Sequence, residues 1–207
     1  EAKRALRWLQ GMQSSTGGWS AYEKSENSEW LNKFLKFKDM AGALVDLPKA
    51  DVSAKVVEAL AAYSDVDENI VSTMKRALKF LLLKREHAGI WRGNYGINYI
   101  YGTSFSSKAL RAIDGRPKAE WADSVREFFL DTQRTDGGWS ESAQSYAKQN
   151  YVAGSKSSPV QTAWALGGLI ASSEKKDKQV CSAVERAIEF LLANQTSSGD
   201  WQDPQFL

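Results

Sequence analysis

Few side chains in this sequence are of the types that perform nucleophilic, metal or acid–base chemistry. One histidine, His87, stands alone after a predicted helix, and one cysteine, Cys181, falls at the start of the last one. A zinc site takes about four ligands, which these two do not supply. There is no Ser-His-Asp spacing, no phosphate loop and no basic patch. Asp65-Val66-Asp67-Glu68 is an acidic run, but it sits just before a helical pattern, where carboxylates cap the first turn and meet the helix dipole. It reads as a cap and not as an acid donor.

What the chain does repeat is an amide and two aromatic rings. An aromatic residue stands five positions before a Gln-type position and a Trp six positions after it. The copies are Trp8, Gln13, Trp19; Phe80, Arg85, Trp91; Phe128, Gln133, Trp139; and Phe190, Gln195, Trp201. A Gln amide both donates and accepts. At a helix end it can lie against the Trp face while bonding backbone groups of a neighbouring helix. A pocket rarely uses one motif four times, so Gln13, Trp19, Trp91, Gln133, Trp139, Gln195 and Trp201 are assigned a structural role. Arg85 in place of Gln makes the second clasp different or weaker.

The elements that carry these clasps follow from periodicity. Helices are expected over Ala2–Gln13, Asp51–Ala62, Asp67 or Asn69 to about Glu86, Phe105–Ile113 capped by Thr103 or Ser104, Pro117–Gln133, Pro159–Ala171 capped by Ser158, and Val180–Asn194. Ser20–Lys49 and Ser140–Lys156 read as long connections, with a short helix near Glu29–Phe37. No strand is expected. Helices with the Gln…Gly-x-Trp turn alternate with helices lacking it, which suits two concentric helix layers: an all-α protein, an α/α-barrel or toroid. The uneven repeat starts at Arg4, Arg76, Ser124 and Arg186 argue against a fixed-period solenoid.

The 207 residues are long enough for a real core, and the eight Trp are the one departure from ordinary soluble composition. A formal charge of +2 argues against a nucleic-acid partner. The single cysteine excludes an intrachain disulfide framework and suits a reducing compartment. No apolar run approaches the roughly 20 residues that span a bilayer. A helical pattern is already under way at Glu1 and the sequence stops soon after its last Trp, so residues 1–207 read as a single domain incomplete at both ends.

The four clasps resemble the QW motifs of squalene-hopene cyclases and related class II triterpene cyclases. Trp19-Ser20-Ala21-Tyr22, Asp51-Val52-Ser53-Ala54, Tyr95-Gly96-Ile97-Asn98-Tyr99-Ile100-Tyr101-Gly102-Thr103 and Ser158-Pro159-Val160-Gln161-Thr162-Ala163-Trp164-Ala165-Leu166 resemble the same family in the same order. The resemblance implies an α/α-barrel beside a large apolar cavity, where a protonated Asp starts a polyene cyclisation. Aromatic faces there stabilise the carbocations without quenching them. By matching position it implies a catalytic setting for Asp51 and Tyr101, cavity roles for Tyr22 and Tyr95, and a channel constriction near Phe37.

Two departures stand out. Lys55 lies one turn after Asp51, where squalene-hopene cyclases have a His that bonds the acid; a charged Lys cannot accept that bond. The family's Asp-x-Asp-Asp acid motif falls upstream of the first repeat, and its late aromatic segment falls after the last Trp; neither is in this sequence. The expectation is therefore a terpene cyclase of isomerase or lyase type as part of an intact enzyme, with this chain alone inactive. It would need no metal or organic cofactor. Its partners would be an apolar isoprenoid and the remainder of the cyclase, with no nucleic acid. The family's monotopic attachment suggests membrane contact through Lys36, Lys38 and the aromatics of Trp30–Phe37, against which a solvated loop is the favoured reading of that segment; the protein is expected to be cytoplasmic, with a peripheral membrane position as the alternative. The alternatives are a non-catalytic α/α-barrel scaffold and a protein prenyltransferase β-subunit-like enzyme, which would require metal.

Overall fold

The computed structural model describes residues 1–22, 24, 46–65, 67–86, 88–94, 97–174 and 176–203. Among them there are eight helices and no strand, with two isolated bridges, Trp19 to Lys49 and Glu141 to Ala153. None of these helices is long and apolar enough to cross a membrane. They form two compact units, Glu1–Lys84 and Arg85–Leu207.

The first unit contains α1 (Ala2–Gly11), α2 (Ala50–Ala61) and α3 (Glu68–Leu83). α2 buries Ala54, Val57 and Leu60 and α3 buries Ile70, Met74, Ala77 and Leu81, spacings that place each set on one helical face. The two helices pack together through these faces. Asp67 starts α3: its Oδ1 accepts from the Asn69 amide at 2.9 Å, and that bond holds its carboxyl below the usual range. The capping account of the acidic run therefore holds for Asp67. The helix expected near Glu29–Phe37, with Lys36 and Lys38, lies outside the described residues, as does His87.

The second unit contains α4 (Asn98–Asp114), α5 (Ala119–Thr132), α6 (Gln144–Lys148), α7 (Pro159–Ala171) and α8 (Lys178–Ala193). α7 packs against α4, α5 and α8, most extensively against α4. Gly168 is the reason three helices converge: a Cβ there would lie 2.4 Å from the Phe129 ring and 3.0 Å from the Ser104 Cα. α7 starts where the Ser-Pro pair predicts, with Ser158 Oγ accepting from the Gln161 amide at 3.1 Å. α8 is capped by Asp177, which accepts from Gln179 and Val180 at 3.0 and 3.3 Å.

α4 departs from the sequence expectation. It begins at Asn98 and not at Thr103 or Ser104, which are buried inside it. Ser104 Oγ donates to the Trp164 carbonyl of α7 at 2.5 Å, and Ser107 Oγ to the Ser104 carbonyl at 2.9 Å. These hydroxyls satisfy themselves on helix carbonyls, so small polar residues that look like caps instead allow two helices to approach closely. The 140–156 connection also differs, since it encloses α6.

Candidate active site

The four Gln-type positions end their helices in the same turn. The residue after each donates its amide four residues ahead: Ser14 to Gly18, Glu86 to Ile90, Arg134 to Gly138 and Thr196 to Asp200, at 2.8–2.9 Å. In the first unit Gln13 donates to Gly17 O at 2.8 Å and to Thr73 O of α3 at 2.9 Å, while Arg76 donates to the Gln13 Oε1. In the second unit Gln133 donates to Gly137 O at 2.9 Å and Ala183 O of α8 at 2.8 Å, and Arg186 donates to its Oε1. The second copy reaches the next helix by other groups: Arg85 donates to the Glu120 carbonyl, and Ser124 Oγ donates to Gly89 O at 3.0 Å. Gln195 donates to Gly199 O at 2.8 Å.

The ring nitrogens of Trp19, Trp139 and Trp201 donate back to the carbonyls of Leu9, Phe129 and Leu191 at 2.7, 2.9 and 2.7 Å. Trp19, Trp91 and Trp139 are buried, whereas Trp201 is 43% exposed.

In the first unit the turn after α1 leads directly to the candidate acid region. Trp19 accepts the Lys49 amide at 3.0 Å through its carbonyl and donates its own amide to Ser53 Oγ at 2.8 Å, which seats the start of α2 on the Trp turn. Asp51 lies in the first turn of α2, two residues past Lys49, which occupies the capping position. It is fully buried, and its Oδ1 accepts the Val52 amide at 3.0 Å. A carboxylate there meets the positive end of the helix dipole. Lys55 is exposed.

Asp46, which no sequence signal singles out, accepts the amides of Ala21 and Tyr22 at 3.1 and 2.5 Å and pairs with Lys49 at 3.9 Å. The backbone of Tyr22 is thus fixed while its ring is 79% exposed.

In the second unit Tyr101 lies one turn into α4 and is buried. Its ring meets Phe105 at 4.9 Å and Trp164 at 5.0 Å between centroids, both edge-to-face, and the latter two close the triangle at 6.5 Å. Lys108 stands 5.1 Å from the Phe105 centroid, within cation–π range. Phe105 carries no functional signal in the sequence and Trp164 stands there only within the family-like segment 158–166; packing of α4 on α7 brings both to Tyr101. Nearby, Tyr99 donates to Glu86 at 3.0 Å, and burial followed by that bond pushes its phenol up to about 12. Burial, and then the charge of Glu141, pushes Tyr151 up to about 12. Tyr95 and Phe37 lie outside the described residues.

Asp51 is a buried carboxylate and Tyr101 a buried, ring-packed phenol, each removed from water within its own unit. Comparison with known proteins gives them a family. A sequence profile described as the squalene-hopene cyclase C-terminal domain matches residues 1–207. The chain is 38% identical over 207 residues to a squalene–hopene cyclase of Zymomonas mobilis, covering 98% of this chain and 30% of that protein. It is 30% identical over 220 residues to dammaradiene synthase of Dryopteris crassirhizoma, covering 98% of this chain and 32% of that one. The chain thus spans about a third of the length of these curated relatives.

Among solved structures, the apo type II terpene cyclase MstE from Scytonema superposes with a TM-score of 0.68 at 21% identity, over 97% of this chain and 51% of that one. A variant of it in complex with geranylgeranyl dihydroxybenzoate gives a TM-score of 0.65 at 22% identity, over 97% and 50%. These likenesses carry the fold class read from the repeats, all-α of the α/α-barrel type. With a profile match along the whole sequence, the chain belongs to the squalene-hopene cyclase C-terminal domain family.

Proposed function

We propose that this chain supplies part of the catalytic barrel of a class II terpene cyclase, which protonates a linear polyprenoid and guides the resulting cation through ring closures. The observation that carries the reading is the 38% identity to a squalene–hopene cyclase along 98% of this chain. The buried Asp51 and Tyr101 and the aromatic triangle around Tyr101 support it, because ring faces attract cations most strongly where water is excluded. Asp51 assists the acid, Tyr101 stands near the proton source, Tyr22 and Tyr95 contact the chain of isoprene units, and Phe37 narrows the channel by which it enters. The substrate partitions into lipid, so the reading extends to monotopic contact with a membrane surface.

The test is expression of the full-length open reading frame and incubation with squalene and related polyprenes, with products analysed by gas chromatography and mass spectrometry. A cyclic terpene is expected. No cyclic product from any of them would overturn the reading. Membrane contact is checked separately by co-flotation of the same protein with anionic phospholipid vesicles.

A further inference from the structure

α4 has no cap of its own. Ile97 flanks it without a side-chain acceptor, and its first turn holds no acidic residue, so its leading amides need partners from elsewhere. Glu141 provides them from a distant part of the chain. Its Oε2 accepts from Tyr99 at 2.8 Å and Ile100 at 2.9 Å, and its Oε1 from Tyr99 at 3.0 Å. The Asn98 amide and the Ser145 hydroxyl donate to it as well.

Glu141 has no exposed surface, and its own backbone is clamped. The side chain of Gln161 in α7, also fully buried, accepts the Glu141 amide at 2.5 Å and donates to the Glu141 carbonyl at 3.2 Å. A serine or asparagine at position 97 would cap the helix without burying a charge. A carboxylate set across successive amides adds what a local cap does not, a link to α7. Charge-assisted bonds in a fork then fix both the depth and the rotation of the first turn. Tyr101 follows directly, and its ring lies against Trp164 of that same α7.

We propose that Glu141 is the positioning residue for Tyr101: clamped by Gln161, its carboxylate locks the first turn of α4 and so fixes where the phenol stands relative to α7. The inference rests on the reading of Tyr101 as an active-site residue, and the experiment separates the two. E141Q and Y101F are made singly and together in the full-length protein. Amide hydrogen exchange is followed at residues 98–101, and kcat and KM are measured with squalene.

E141Q is expected to speed exchange at 98–101 by at least about tenfold and to lower kcat about 10- to 100-fold, as a displaced catalytic group does, with KM little changed. In the Y101F background, E141Q should cost no more than about twofold further. Losses that multiply in the double variant overturn the proposal, and so does unchanged exchange at 98–101. If Y101F alone keeps full kcat, the active-site reading of Tyr101 fails, and exchange alone decides the positioning: faster in E141Q upholds it, unchanged overturns it. Where E141Q does not fold, S145A removes one donor to the carboxylate. It should speed the same exchange about threefold, and no change overturns the proposal.

Discussion

Gln133 donates one amide hydrogen to Gly137 in its own turn and the other to the Ala183 carbonyl of α8, at 2.9 and 2.8 Å. Gln13 does the same in the other unit, to Gly17 and Thr73 at 2.8 and 2.9 Å. In both cases the arginine three residues past the accepting carbonyl, Arg186 or Arg76, donates to the Gln oxygen. The amide therefore uses both donors and its acceptor at once; a charged side chain lacks that set, and Asn has it on a stem one methylene shorter.

Replacing Gln133 by Ala strands the buried Gly137 carbonyl and takes one acceptor from Arg186, which is exposed and keeps its bond to Ser182. Loss of these bonds costs about 1–3 kcal/mol, a fall in Tm of roughly 2–10 °C for a chain of this size. Gln195 is exposed and bonds within its own turn, to Gly199 at 2.8 Å, so Q195A should cost no more than about 0.5 kcal/mol. Thermal melts of the two variants check the contrast, and equal losses would contradict it.

Gly137 and Gly199 share a backbone conformation, with φ of 87° and 88°. They differ in surroundings: a Cβ at Gly137 would lie 2.4 Å from the Arg186 carbonyl, and one at Gly199 would meet nothing within 4 Å. G199A then carries only the left-handed penalty, about 1–2 kcal/mol. G137A adds a clash with backbone and should lose at least about 2 kcal/mol more than G199A. Urea midpoints of the two variants give the difference.

D51N in the full-length protein should lower kcat about 10- to 100-fold, as expected for a group that assists the acid and is not itself the proton donor. Y101F should lower it about 10- to 100-fold. Circular dichroism and melting curves identify any loss that is only unfolding. A D51N protein that is folded and fully active would remove Asp51 from the mechanism.

Burial pushes the carboxyl of Glu141 above its ordinary 4.5, more than the amides of Ile100 and Tyr99 pull it down. The folded state therefore holds this proton more tightly than the unfolded chain does. The stability this contributes is present in full below about pH 4.5 and is lost as pH rises through the elevated folded pKa. Gln at this position does not titrate. The stability difference between wild type and E141Q should accordingly shift against wild type as pH rises from 4 to 8, which urea midpoints across that range will show. A difference flat with pH would contradict the assignment.

The sequence alone determined what is set by neighbours along the chain. Apolar spacing at three and four residues gave α2, α3 and α8 to within a few residues, and Ser158-Pro159 and Asp67 announced their helix starts because a cap lies next to the amides it serves. The repeated Gln and Trp spacing carried the helical fold class and the family resemblance.

Tertiary structure alone decided what depends on partners far along the chain. α4 starts at Asn98 because Glu141 reaches its amides from 42 residues away at Tyr99, a cap no local pattern contains. Phe105 and Trp164 join Tyr101 only because Gly168 lets α7 approach α4. Asp51 is buried while the Tyr22 ring is 79% exposed, a distinction invisible in residue type, since burial is a property of what packs on top.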